Sequence, residues 1–259
     1  MVNDGQEDKL NGECSYPLQY GYREQWTALH IAVYRGCIDC IQQLNRLDST
    51  TVDRRNYRPV HLAAESRNTD VLETYLKTFP ISRDAELDIT NVFGLTPLMF
   101  SAALGNAEAV TMLIKYGADV GVAVPDGSDE SENAKREDHL GQNVLHMIVK
   151  RSVEEPNSVQ KFRAVYEAIV SGCPSTTDKL TNMIKHVARC SFRPRFEKRQ
   201  MTAIEFGAAI GAVDLTSEMI RHLSQKYRMG QLRSSLRPLQ ELVQNIHHRH
   251  QETNQGGTE

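Results

Sequence analysis

The sequence predicts an all-α fold built from repeated helix-turn-helix units, and three observations predict it. The segment Gly94-Leu95-Thr96-Pro97-Leu98-Met99-Phe100-Ser101-Ala102-Ala103-Leu104-Gly105-Asn106 recurs in degenerate form at four other places along the chain. Behind these segments, apolar residues return at helical spacing, as in Val71, Leu72, Tyr75 and Leu76. Proline opens and glycine closes the first helix of the best-preserved copy, the asymmetry expected at helix ends.

The bulk numbers agree with a globular chain. It has 259 residues, 24% charged and 40% hydrophobic, with a formal net charge of -3. That balance gives no general pull toward nucleic acid or acidic membranes. No apolar run is long enough for a membrane span. The polar, acidic start from Met1 to Leu10 is read as carrying no secretory signal. Cys14, Cys37, Cys40, Cys173 and Cys190 are an odd, scattered set. They do not read as a disulfide framework, so a reducing compartment, cytoplasm or nucleus, is expected.

The units follow in order. The first reads Trp26-Thr27-Ala28-Leu29-His30-Ile31-Ala32-Val33, then Gly36, Ile38, Cys40, Ile41 and Leu44. The second reads Arg58-Pro59-Val60-His61-Leu62-Ala63-Ala64, followed by its apolar stripe. The third is the opening segment. The fourth starts at Gly141 with Asn143-Val144-Leu145-His146-Met147-Ile148-Val149, and its second helix carries Phe162, Val165, Tyr166, Ile169 and Val170. The fifth reads Thr202-Ala203-Ile204-Glu205-Phe206-Gly207-Ala208-Ala209-Ile210-Gly211, with Leu215, Met219 and Ile220 behind it.

Each unit gives two short helices. Proline's fixed φ suits the first helical turn, where its missing N–H is no loss. Paired alanines let helices approach closely. Gly36, Gly105 and Gly211 supply the left-handed residue after the first helix. Asn68 is expected to take that place in the second unit. The helix-opening residues fall at 27, 58, 96, 143 and 202, so the spacing stretches from 31 to 59. The insertions therefore gather in the C-terminal half.

Those insertions are Pro80 to Asn91, the acidic excursion Gly121 to His139, and Gly172 to Gln200. The last is expected to hold a helix over Asp178 to Ala188, then the basic stretch Arg193 to Arg199 in a loop. Val153 to Ser158 reads as a long link within the fourth unit. Leu232, Leu236, Leu239, Leu242, Val243 and Ile246 predict a helix over 231–249, read as a cap over the last apolar face or as a partner-binding helix. The expected boundaries are a flexible start over 1–20, a repeat domain over 21–230 and a flexible tail over 250–259. The units are placed near 24–52, 55–86, 91–125, 138–174 and 199–226.

The five segments resemble ankyrin repeats, with Thr96-Pro97-Leu98 and Gly117-Ala118-Asp119-Val120 the most specific match. The resemblance implies an ankyrin-repeat solenoid and a protein that binds other proteins. The fourth and fifth units, with their long spacer, are also similar to the late repeats of vanilloid-type transient receptor potential channels. That likeness implies the alternative of a cytosolic regulatory domain binding a small anionic ligand or a regulatory protein. His30, His61 and His146 fill the histidine position of the repeat, where the family implies a hydrogen bond to the neighbouring turn. Met99 and Glu205 replace it, so those positions should lack or replace that bond.

Residues that could carry chemistry have bland readings. Cys37-x-x-Cys40 has half the ligands of a structural zinc. In register, Cys40 is expected on the buried face of its helix. His247, His248 and His250 beside Arg249 read as a solvated helix end. No phosphate loop, nucleophile elbow, zinc-protease or kinase signature is present. No enzyme activity, cofactor or metal is therefore expected.

The expected function is protein binding through the fingers and first helices. Aromatics and arginines dominate interface energy. The partner-binding candidates are Trp26, Tyr34 and Arg35, then Arg54, Arg55, Tyr57, Glu65 and Arg67, then Phe93, Phe100 and Leu104. Replacing Trp26 and Arg55 by alanine should weaken binding and leave unfolding nearly unchanged.

Overall fold

The computed structural model describes residues 25–79, 87–124, 141–173, 179–192 and 197–226. The expected N-terminal segment, most of the acidic excursion, the helix over 231–249, the histidines near 248 and the tail lie outside the described residues. The chain divides into two compact units, one up to Val122 and one from Ala123.

The first unit holds three helix pairs: α1 (Ala28–Arg35) with α2 (Ile38–Gln43), α3 (Pro59–Glu65) with α4 (Thr69–Thr78), and α5 (Pro97–Ala103) with α6 (Ala107–Lys115). The first helices pack side by side, α1 on α3 and α3 on α5, and the second helices do the same. Leu29, Ile41, Val60, Leu72, Leu98 and Leu113 are buried along this double row. Non-directional burial of that area drives the packing.

Capping starts the helices where the sequence predicts. Thr27 and Thr96 accept from the backbone N–H three residues on. Pro59 and Pro97 occupy the first helical turns. Gly36 and Gly105 adopt left-handed φ of 67° and 73°. Asn68 does not. Its φ is -90°, and its side chain caps α4 by accepting from Asp70 N–H. The second repeat ends its first helix at Ser66 with φ -61°, so no left-handed residue is needed there.

The second unit opens at a pair of backbone bonds, Val124 N–H to Gln142 O and Gly141 N–H to Val124 O. Then come α7 (Val144–Glu154), a 3-10 turn (Pro156–Ser158) and α8 (Val159–Gly172). The expected link over 153–158 is shorter than the sequence suggests, because α7 runs on to Glu154 and Pro156 opens a helical turn. Phe162, Val165, Tyr166 and Ile169 are buried along α8, and Val170 is half-buried.

The insertion after α8 differs from the expectation. Its helix α9 (Lys179–Lys185) stops before Val187, where strand β1 (Val187–Phe192) begins and pairs antiparallel with β2 (Glu197–Thr202). Val187 lies opposite Thr202 and Phe192 opposite Glu197. Glu197-Lys198-Arg199-Gln200 is polar at every position, so no period-2 signal exposes the strand. Part of the basic stretch is thus β2, and residues 193–196 lie outside the described residues. β2 delivers Thr202 directly as the cap of α10 (Ala203–Ile210), with Glu205 closing a capping box. α11 (Val213–Lys226) follows; α10 packs on α7, and α11 packs on α8 and α10. Apart from this hairpin and one isolated bridge, Ala123 with Asn143, the described elements are helical.

Candidate functional site

Two finger turns of the first unit share one construction. In the first, Asp53 N–H donates to Tyr57 O, and Asp53 Oδ1 accepts from the N–H of Arg55 and of Tyr57, both at 2.8 Å. In the second, Asn91 N–H donates to Leu95 O, and Asn91 Oδ1 accepts from Phe93 N–H at 2.9 Å and Leu95 N–H at 3.0 Å. Asn56 and Gly94 hold the left-handed positions, with φ of 56° and 74°. Asp53 and Asn91 were missed by sequence reasoning. The shared spacing Asp53-x-x-Asn56-x-x-Pro59 and Asn91-x-x-Gly94-x-x-Pro97 is the signal that marks them.

The fingers are tied together. Val92 N–H donates to Arg55 O at 3.0 Å, and the Asn56 amide donates to Thr90 O at 2.6 Å. The repeat histidines add the ties the family pattern implies. His30 Nε2–H donates to Tyr57 O at 3.0 Å, and His61 Nε2–H to Ile89 O at 3.1 Å. Their Nδ1 atoms accept from Thr27 and Arg58 N–H, so each neutral ring is fully used. Burial pulls both rings below their ordinary pKa, His61 to about 4. His146 repeats the Nε2 tie in the second unit, at 3.1 Å from Met201 O, while its Nδ1 lies 2.8 Å from Asn143 Oδ1; its pKa is pulled down to about 4, mainly by burial. Met99 is buried and offers no ring nitrogen, while Glu205 turns its carboxylate to its own Thr202.

This frame brings several candidates together. The Arg55 guanidinium lies 6.0 Å from the Phe93 ring centre. Tyr57 and Phe100 are 5.4 Å apart, with His61 against both. Burial and then the Glu65 charge push the Tyr57 hydroxyl up to about 12, so Glu65 acts on this cluster. Arg55, Tyr57, Phe93, Phe100 and Leu104 are half-buried. Tyr34, Arg35, Arg54, Glu65 and Arg67 are exposed.

Trp26 is different. It is only 2% exposed, and its indole N–H donates to Asp53 Oδ2 at 3.1 Å. It supports the finger from inside, with Tyr34 packed edge-on at 5.2 Å. The expectation that it can be removed without loss of fold is therefore overturned by its burial.

The cysteine pair also departs from expectation. Cys40 is exposed and forms a disulfide with Cys37. The equivalent residues of the next repeats, Val71 and Ala109, are buried. In the first repeat this position is exposed instead. Among the described residues, no three His, Cys, Asp or Glu side chains converge as a metal site, and no helix is long and apolar enough to cross a membrane. A groove beside α8 and α11 is lined by ion-paired side chains, with Glu218 paired to Arg163 at 2.8 Å and to Arg221.

Comparison with known proteins agrees with the repeat geometry. The ankyrin repeat model matches residues 24–57, and the model for ankyrin repeats in three copies matches 45–124. The chain is 32% identical over 96 residues, 36% of its length, to the B-cell lymphoma 3 protein homolog of Mus musculus. It is 32% identical over 65 residues, 25% of its length, to an ankyrin repeat protein of Rickettsia bellii (strain RML369-C). These matches span 21% and 39% of the two relatives' own lengths. Ankyrin repeats are in general an interaction fold rather than a catalytic one. Paired helices joined by histidine-tied fingers, together with these matches, show residues 24–124 to be ankyrin repeats.

Proposed function

We propose that this chain is a non-enzymatic interaction module that binds a partner protein through the fingers and first helices of its first three repeats. The observation that carries the reading is the pair of fingers locked to each other by the Val92 to Arg55 and Asn56 to Thr90 bonds. They hold Arg55 against Phe93 and Tyr57 against Phe100, each side chain half-exposed. Rigid aromatic and arginine groups lose little freedom on binding, which is why they dominate interface energies. Tyr34, Arg35, Arg54, Glu65 and Arg67 add exposed polar and aromatic reach.

The test uses the intact chain and a variant carrying Arg54→Ala, Arg55→Ala and Phe93→Ala. Partners captured from cell extract by each are compared by mass spectrometry, and the strongest is measured by calorimetry. Each hot-spot side chain is worth upwards of about 1 kcal/mol, so binding should weaken at least tenfold. Unfolding should stay close to that of the parent. Capture of the same proteins with the same affinity by both chains would reject this face.

A further inference from the structure

We propose that Cys37 and Cys40 form a surface dithiol–disulfide couple, a covalent modification site that exchanges with small-molecule disulfides of the glutathione class. Cys37 is the cap residue of α2, and its sulfur accepts from Cys40 N–H at 3.3 Å. The two Cα atoms are 5.2 Å apart, inside the range a disulfide spans without backbone movement. The helical turn itself therefore sets the pair for ring closure. Access is the second observation. Cys40 is exposed and Cys37 half-buried, whereas Cys173 is buried. The positions equivalent to Cys40, Val71 and Ala109, are closed by packing, so the first repeat alone among the first three presents this position to solvent. Among the described residues no third His, Cys, Asp or Glu converges on the pair as a metal site.

The exchange balances without another reactant. The Cys40 thiolate attacks one sulfur of glutathione disulfide and expels a glutathione thiolate. The Cys37 thiolate then attacks the Cys40 sulfur of the mixed disulfide and expels the second. Two protein thiols are oxidised to one disulfide, one glutathione disulfide is reduced to two glutathiones, and the two protons pass to the leaving thiolates. Excess glutathione runs the same steps backwards.

Trypsin isolates the pair. Cleavage after Arg35 and Arg46 releases Gly36–Arg46, which contains Cys37, Cys40 and no other cysteine. The full chain is equilibrated natively in glutathione buffers of graded poise, quenched with acid, alkylated, digested and weighed. The peptide should pass reversibly between a doubly alkylated form and a ring-closed form that takes no label. An about hundredfold change in poise should carry it from mostly one to mostly the other. Cys37→Ser should stop at a glutathione adduct on Cys40. The proposal is overturned if the wild-type peptide stays fully alkylated in the most oxidising buffer. It is equally overturned if the ring resists excess glutathione until the chain is unfolded, since the bond would then be fixed rather than exchangeable.

Discussion

The indole N–H of Trp26 reaches across 27 residues to Oδ2 of Asp53 at 3.1 Å, while Oδ1 of the same carboxylate holds the turn that follows it. One buried side chain thus shapes the finger and anchors it to the first repeat. Asp53→Ala removes three acceptor contacts, one to the buried indole and two to part-buried turn N–H groups. Losing an acceptor costs a buried donor about 1–3 kcal/mol and a part-buried one less, so the first unit should lose stability. Asp53→Asn should cost less, because Oδ1 can still accept while the new amide faces the indole donor. Urea unfolding followed by fluorescence measures both, and Trp26 is the chain's single tryptophan. An alanine variant as stable as the parent would mean the turn holds without its carboxylate.

Trp26 and Tyr34 touch, yet their truncations should separate. Trp26 is 2% exposed and Tyr34 46%. Trp26→Ala opens a core cavity and should cost about 3–5 kcal/mol. Tyr34→Ala forfeits mainly an edge-on ring contact, worth about 0.5–1.5 kcal/mol. Circular dichroism during urea unfolding gives both numbers. Similar losses from the two substitutions would contradict the burial difference.

The buried histidines set an acid limit. His61 and His146 are pulled to about 4, chiefly by burial. Above pH 6.5 both are neutral folded or unfolded, and titration adds nothing. As the pH falls below that value the unfolded rings take up protons that the folded rings refuse. The unfolded state then binds more protons, so stability declines from pH 6.5 down to about 4, by up to about 3 kcal/mol for each ring. His61→Gln keeps a donor for Ile89 O and removes the titration. The difference between parent and variant unfolding free energies should therefore shrink across that window. A constant difference would show that His61 titrates alike in both states.

What the sequence reveals depends on whether a residue's role is local or non-local. Thr27, Thr96, Pro59, Pro97, Gly36 and Gly105 act on their own turns, so the motif locates them and the structure agrees. His30 and His61 act between repeats, but repetition itself gives them away. Trp26 looks like an interface anchor in sequence because its partner, Asp53, lies a whole repeat away. Cys40 was misplaced for the complementary reason. Burial at this position is set by packing between repeats, as Val71 and Ala109 show by being buried where Cys40 is exposed, and the local pattern does not record it. The β1–β2 ribbon was hidden because β2 is polar throughout most of its length. Asp53 and Asn91 were legible in principle, through their common spacing to a left-handed residue and a proline, but only once two fingers are compared.

Gly207 shows a constraint that composition alone would pass over, since alanine favours helices more than glycine does. In the middle of α10, a Cβ at this position would run into Thr216 Oγ1 of α11 and stand 3.1 Å from Val149 Cγ1 of α7. Thr216 is fully buried, and its hydroxyl donates to Ala212 O at 2.5 Å, so it has little freedom to withdraw. Helix propensity offers Gly207→Ala a gain of up to about 1 kcal/mol, whereas overpacking costs about 1–3 kcal/mol. Overpacking should win, and the variant should unfold at lower urea. Adding Thr216→Ala removes the obstructing oxygen, so the double variant should recover stability relative to Thr216→Ala alone. A double-mutant cycle measures that coupling. If Gly207→Ala stabilises the chain by itself, α10 and α11 can separate without cost, and the close approach is not what selects glycine here.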